Sequence, residues 1–150
     1  MPVDMAWRLL LAAGLGAAIG LEREYRQKPA GLRTNILIAV GSALFTILSI
    51  EMTGKVGDPS RVAGQIVTGI GFLGGGAIMR NRDTVHGMTT AATIWVNAAV
   101  GVAAGMGQYT LATFTVALTL LVLVALPPVE IYFERRAGWP DRHGPPPADR

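Results

Sequence analysis

From Thr84 through Val129 this sequence runs for 46 residues without an Asp, Glu, Lys or Arg. Two shorter uncharged runs, Thr34–Ile50 and Val62–Met79, precede it. A helix on the surface of a soluble core carries charges along its wet face, and these runs carry none. Charged residues make up 15% of the chain, against about 25% in an average soluble domain, which is too little to solvate a globule. Mean hydropathy is +0.41. The sequence describes a polytopic, all-α membrane protein.

A helix needs about 20 mostly apolar residues to cross the hydrocarbon. Five stretches qualify: Met5–Leu21, Thr34–Ile50, Val62–Met79, Met88–Gly105 and Leu111–Leu126. The longest tract exceeds one crossing, and the glycine and polar cluster Gly105–Thr110 supplies the turn that divides it. The expected architecture is a bundle of about five transmembrane helices over residues 1–126. A largely disordered tail over 127–150 follows, ending in the proline-rich DRHGPPPADR. Tyr132, Phe133 and Trp139 suit the headgroup zone.

Lys and Arg set the orientation. The segment after the first span holds Arg23, Arg26, Lys28 and Arg33, the third connection Arg80 and Arg82, and the tail Arg135, Arg136, Arg142 and Arg150. Ten of the 13 basic residues thus share one side, opposite Arg8, Lys55 and Arg61. The positive-inside rule places the N-terminus outside and the tail in the cytoplasm. Arg8 followed by LLLAAGLGAAIG has some look of a cleaved signal peptide, but the stronger basic cluster follows the apolar run, as in a retained span.

Several functions are disfavoured by the residues. The chain has no cysteine, so it has no disulfide framework, thiol nucleophile or thiolate metal site. The net charge of +3 is explained by membrane topology without nucleic acid. Gly54-Lys55-Val56 lacks the rest of a phosphate loop. His86 alone in a loop is no metal site, and no metal or cofactor is expected. Ion-coupled carriers place ionisable groups at mid-membrane, and the spans have none there, which argues against autonomous ion-coupled transport.

Glycine is abundant, 19 residues in all. Helices in lipid associate by close approach at small residues, and three spans carry GxxxG spacing: Gly16 with Gly20, Gly71 with Gly75, Gly101 with Gly105. These strips should face helices of the same chain first, with a homodimer seam as a further use. In GIGFLGGGAI (69–78) three successive glycines around Gly74 and Gly75 weaken the helix and free backbone groups. Tight packing explains this stretch, and so does a ligand or partner surface at the inner end of span three. Displacing the sequence by 56 residues sets Gly31-Leu32-Arg33-Thr34 on Gly87-Met88-Thr89-Thr90, the mark of a duplicated helical hairpin or of biased composition alone.

Asn97 lies near the middle of span four and needs a partner, for which Thr68, Ser42 and Thr93 are candidates. Hydroxyls in membrane helices also bond back to their own carbonyls, so helix glue is the plain role of all four. The densest charge cluster is Glu22, Arg23, Glu24 at the inner end of span one. Glu22 and Arg26 are i,i+4 partners, whereas Glu22 and Glu24 point about 200° apart and would not chelate one metal. An ion-pair cluster anchoring the span is the sober reading. The sharper one is a cytoplasmic-face site where Glu22 or Glu24 meets Arg33, Thr34 and the entrance of span four, Thr89-Thr90.

The string GLEREYRQKPAGLRTNILIAVGSALF, then GIGFLGGGAI and GMTTAATIWVNAAVG, resembles the MgtC/SapB family of bacterial membrane proteins over roughly residues 10–107. The motif positions carried over are Glu22, Arg23, Glu24, Gly31, Arg33, Thr34, Gly71, Gly74, Thr89, Thr90, Thr93, Trp95 and Asn97. The resemblance implies a multi-pass inner-membrane protein linked to survival at low Mg²⁺ and inside host phagocytes. It further implies a protein that restrains the F-type ATP synthase by binding it, without itself moving Mg²⁺. Longer members end in a soluble ACT-like domain; this chain stops about 24 residues after the fifth span and is closer to the short, SapB-like form.

Three functions follow as expectations. The first is a non-catalytic regulator docking on another membrane complex through its glycine strips and its GLERE and RNRD loops. The second is a small transporter or channel subunit for Mg²⁺ or another solute, and the third a lipid-directed enzyme. No nucleophile–base pair recommends the last.

Overall fold

The computed structural model describes residues 3–54, 57–58, 60–80 and 84–137. Five helices follow in order: α1 (Val3–Tyr25), α2 (Leu32–Thr53), α3 (Ser60–Gly76), α4 (Met88–Gly105) and α5 (Tyr109–Ala137). Two short strands, β1 (Met79–Arg80) and β2 (Val85–His86), lie between α3 and α4. The expected all-α membrane architecture is present: α1, α2, α4 and α5 are each long and apolar enough to cross a bilayer. α3 has 17 residues and reaches about 26 Å at 1.5 Å per residue, a little less than the hydrocarbon thickness of about 30 Å. Leu37, Phe45, Phe72, Leu111, Phe114 and Leu121 are all exposed, which is the outside expected of a chain solvated by lipid.

Two boundaries differ from the sequence reading. The third span, expected to run to Met79, ends as a helix at Gly76. Beyond the glycines, the Ala77 amide turns back to the carbonyls of Leu73 and Gly74, and that of Ile78 to Gly75. The chain then enters an antiparallel pairing of Met79 with His86 and Arg80 with Val85. Gly87 follows at φ +89°, and a Cβ there would collide with the Ala77 carbonyl oxygen. Only glycine meets both demands, the left-handed backbone and the close approach.

The second difference is in α5. The chain divides into two compact units, residues 1–120 and 121–150. In the second, the helix passes through Pro127 and Pro128 and continues to Ala137, so 127–137 is helical where a disordered tail was expected. Each proline forfeits one backbone bond, but a helix in an apolar setting tolerates such gaps when its neighbouring turns hold. Tyr132 and Phe133 pack edge to face at 5.7 Å, and Arg136 donates to the Tyr132 hydroxyl at 3.0 Å. Trp139 and the DRHGPPPADR ending lie outside the described residues.

In the first unit α2 is the central helix, with α1 and α4 against it. One core cluster joins Ala12 and Ile19 to Ala39, Ala43, Val100, Ala104, Ala112 and Val116. A second joins Ile38 of α2 to Ile66 and Ile70 of α3 and to Ile94 and Ala98 of α4. The first cluster is mostly alanine and valine because its backbones lie close, the packing expected where lipid supplies no hydrophobic drive. The hairpins α1–α2 and α3–α4 share an order but pack differently. Gly16 backs onto Asn35 and Ala39, whereas Gly71, which falls near it in the proposed duplication, has nothing within 4 Å.

Candidate functional site

Two of the three glycine strips form the seams on which the first unit is built. A methyl group on Gly16 would stand 2.8 Å from the Asn35 carbonyl and from the Ala39 Cβ, and one on Gly20 2.8 Å from the Leu32 Cα. α4 meets the same stretch of α2, with Gly101 against the Ala39 carbonyl and the Ser42 Cβ, and Gly105 against Ala43 and Thr46. Both strips therefore face helices of this chain, as expected. The third does not. Gly71 and Gly75 have open space around them, and Gly74 alone touches α4, with the Ala91 carbonyl 3.6 Å from a Cβ.

Asn97, fully buried, sits where α2 and α4 cross. Its Nδ2 donates to the Asn35 backbone carbonyl at 2.6 Å and to the Asn35 Oδ1 at 3.1 Å. Asn35, also fully buried, donates in turn to the carbonyls of Ala30 and Gly31. This corrects the expected partners of Asn97. Thr93 and Thr68 bond back to the carbonyls of Thr89 and Gly64, and it is the Ser42 carbonyl, serving Thr46, that takes part in such a bond. Asn35 was missed as a site residue, although it is the other asparagine inside an uncharged span. An amide offers both a donor and an acceptor, so two amides in lipid are natural partners.

The basic end holds the GLERE motif. Glu22 pairs with Arg26, Nε to Oε1 2.7 Å, in the i,i+4 contact expected from spacing, and more loosely with Arg23 at 3.4 Å. Arg23 is only 4% exposed and its Nε has no partner among the described residues. Glu24 reaches across the turn to α2, where its Oε2 accepts from the Leu32 amide at 3.0 Å. The N-cap residue Gly31 has no side chain to offer, and the Glu24 carboxylate occupies the place a Cβ would take. A carboxylate on an unsatisfied amide at a helix N-terminus is favoured both as a cap and by the helix dipole.

The site expected at this end is thus corrected in its details. Neither Glu22 nor Glu24 pairs with Arg33, and Arg33 has no ion pair among the described residues. The cause is the turn at 26–31, where Gln27 and Ala30 take left-handed backbone (φ 53° and 57°) and fold the start of α2 back onto Glu24. Thr90 is buried and Thr89 exposed at the start of α4. Thr34 lines an apolar groove of about 700 Å³ between α2 and α3, open at the side and floored by Ile38, Ile66, Ile70 and Ile94. Of the RNRD loop, only Arg80 lies within the described residues, and it is exposed. No group of three or more His, Asp or Glu suited to a metal occurs among the described residues.

A charged knot built on Arg8 and Asp4 closes the opposite end. Arg8 donates to the Gly105 carbonyl at 2.9 Å, pairs with Asp4 one turn earlier, and approaches a Cβ position on Gly107. The Tyr109 hydroxyl donates to Asp4 at 3.1 Å. A guanidinium on the last carbonyl of a helix completes one of its orphan acceptors. The i,i+4 pair Asp4–Arg8 was visible in the sequence, but its target 97 residues away was not.

Comparison with known proteins accords with this architecture. The MgtC family profile matches residues 9–132. Protein MgtC of Salmonella typhimurium is 51% identical over 117 residues, covering 78% of this chain and 48% of that protein. YhiD of Escherichia coli K12, provisionally described as a magnesium transporter, is 48% identical over 132 residues, 82% of this chain and 60% of its own length. The slr0014 protein of Synechocystis is 44% identical over 129 residues, 86% and 55% of the two chains. The chain therefore spans about half the length of the curated relatives it matches. No solved structure matches. With its glycine seams, its buried amide pair and the family profile all falling on one stretch of helices, the chain belongs to the MgtC family of multi-pass membrane proteins.

Proposed function

We propose that this protein is a non-catalytic regulator of the bacterial inner membrane that docks on another membrane complex, with its basic end in the cytoplasm. The observation that carries this reading is the contrast among the glycine strips. Those of α1 and α4 are consumed by α2, whereas Gly71 and Gly75 of α3 face open space beside the exposed Phe72. A helix with an open small-residue face and an adjacent aromatic ring offers close backbone approach to a second helix. By family resemblance the partner is the F-type ATP synthase and the setting adaptation to low Mg²⁺. Crosslinking from a photoreactive residue at position 72, followed by mass spectrometry in native membranes, tests this. Capture of an ATP synthase membrane subunit supports it, and capture only of a second copy of this chain overturns it.

A second reading, a subunit for Mg²⁺ passage, is favoured by the description of the Escherichia coli relative as a magnesium transporter. Mg²⁺ flux into liposomes holding the purified chain would establish it in place of the regulator.

A further inference from the structure

The groove between α2 and α3 has a shape and charge that neither helix packing nor docking through Gly71 and Gly75 uses. We propose that it is a binding site for one anionic phospholipid, with an acyl chain in the groove and the phosphate at Arg33. On the α2 side the wall is an i,i+4 row, Leu37, Gly41, Phe45, and Arg33 stands one turn before Leu37 on the same row. On the α3 side Gly69 and Leu73 belong to the wall. Gly41 and Gly69 have nothing within 4 Å of a Cβ position, so the trough is open where they face it.

The dimensions suit a lipid tail. Lining residues run from Thr34 to Phe45 on α2 and from Val62 to Leu73 on α3. Each wall is about 17 Å long at 1.5 Å per residue, against about 15 Å for one leaflet of the hydrocarbon core. The volume, about 700 Å³, lies in the range of sites that hold an apolar ligand of tens of atoms. Because the helices run antiparallel across the short connection at 54–59, Thr34 and Leu73 share one end, and Arg80 follows the end of α3 on that side. Arg33 and Arg80 are exposed and neither has a carboxylate partner among the described residues. Unpaired cations at the interfacial mouth of an apolar cleft between membrane helices select an anionic headgroup. At the far end, beside Val62, the described residues place one cation, Arg61, which has the Asp58 carboxylate near it.

The test uses the full chain, delipidated in detergent and offered phosphatidylglycerol or phosphatidylethanolamine with matched acyl chains, with retention read by native mass spectrometry. The wild type is expected to hold one phosphatidylglycerol per chain, several-fold in preference to phosphatidylethanolamine. Gly41→Leu and, independently, Gly69→Leu fill the trough from opposite walls and should cut retention of both lipids at least tenfold while gel filtration still shows a folded chain. Arg33→Gln should keep lipid binding and level the headgroup preference. Unchanged retention in both glycine variants, or equal retention of the two lipids by the wild type, overturns the proposal. So does a disulfide between two copies through Leu37→Cys in phosphatidylglycerol vesicles, because the groove would then hold a second chain.

Discussion

The side-chain amide of Asn97 donates to the backbone carbonyl of Asn35 at 2.6 Å, tying the centre of α4 to the first turn of α2 across 62 residues of sequence. Both residues are fully buried. Gly16 and Gly20 press α1 onto the same residue: a Cβ on Gly16 would stand 2.8 Å from that Asn35 carbonyl oxygen, and one on Gly20 3.2 Å from the Asn35 Cβ. One amide pair thus sits at the meeting of three helices.

Removing that pair should cost a modest amount. Interhelical hydrogen bonds within membranes average about 0.6 kcal/mol and reach about 1.7. A double-mutant cycle of Asn35→Ala and Asn97→Ala, read by reversible unfolding in mixed micelles, isolates the 3.1 Å bond between the two side chains, because the Asn35 main-chain carbonyl survives the substitution, and should give a coupling energy of about 0.6 kcal/mol. Strict additivity would show that the two amides do not act on each other.

The glycines divide into two classes. Gly101→Leu would drive a side chain into the Ala39 carbonyl and Ser42, and backbone cannot yield as a flexible side chain does. That variant should fail to give a monodisperse folded protein. Gly75→Leu, with nothing in its way, should leave thermal stability within about 0.5 kcal/mol, as surface substitutions do, and abolish capture of a partner at position 72. An unfolded Gly75→Leu protein would mean that the α3 face is already occupied within the fold.

Glu24 and Gly31 should behave as one unit. Glu24→Ala removes the cap on the Leu32 amide, a loss of about 1 kcal/mol by analogy with helix caps. Gly31→Ala displaces the same carboxylate by occupying its place. The double variant should therefore be little worse than either single one. Additive losses would separate the two residues.

The connection before α3 carries a pH dependence. The Ser60 hydroxyl and then the Ser60 amide donate to the Asp58 carboxylate and hold its pKa below the ordinary carboxylate value. A depressed pKa means that the stabilisation is present above the unfolded-state pKa and is lost as the pH falls through the folded-state value. Amide exchange in the first turn of α3 should accelerate in that acid window, and Asp58→Asn should remove the dependence.

Orientation is open to a direct measurement. With the basic end in the cytoplasm, an impermeant thiol reagent applied to intact cells should label Gly57→Cys and spare Lys28→Cys. The reverse pattern would invert the topology.

The sequence by itself determined the membrane class, because an uncharged tract longer than one crossing leaves the chain no other solvent. It also determined the Glu22–Arg26 pair and the glycine strips of α1, α3 and α4, since i,i+4 spacing on a helix places residues together whatever the rest of the chain does. What each face would meet was a matter for the tertiary structure. Gly71 and Gly75 have the same spacing as Gly16 and Gly20, yet α3 packs through Ile66, Ile70 and Gly74 and leaves them open. Asn97 could be read as needing a partner, but only the crossing of α2 and α4 chose Asn35. The Glu24 cap and the Arg8 bond to Gly105 depend on how far the chain turns back between helices. Periodicity settles local contacts along one helix, whereas contacts between helices are settled by which close approaches the backbones can make at once.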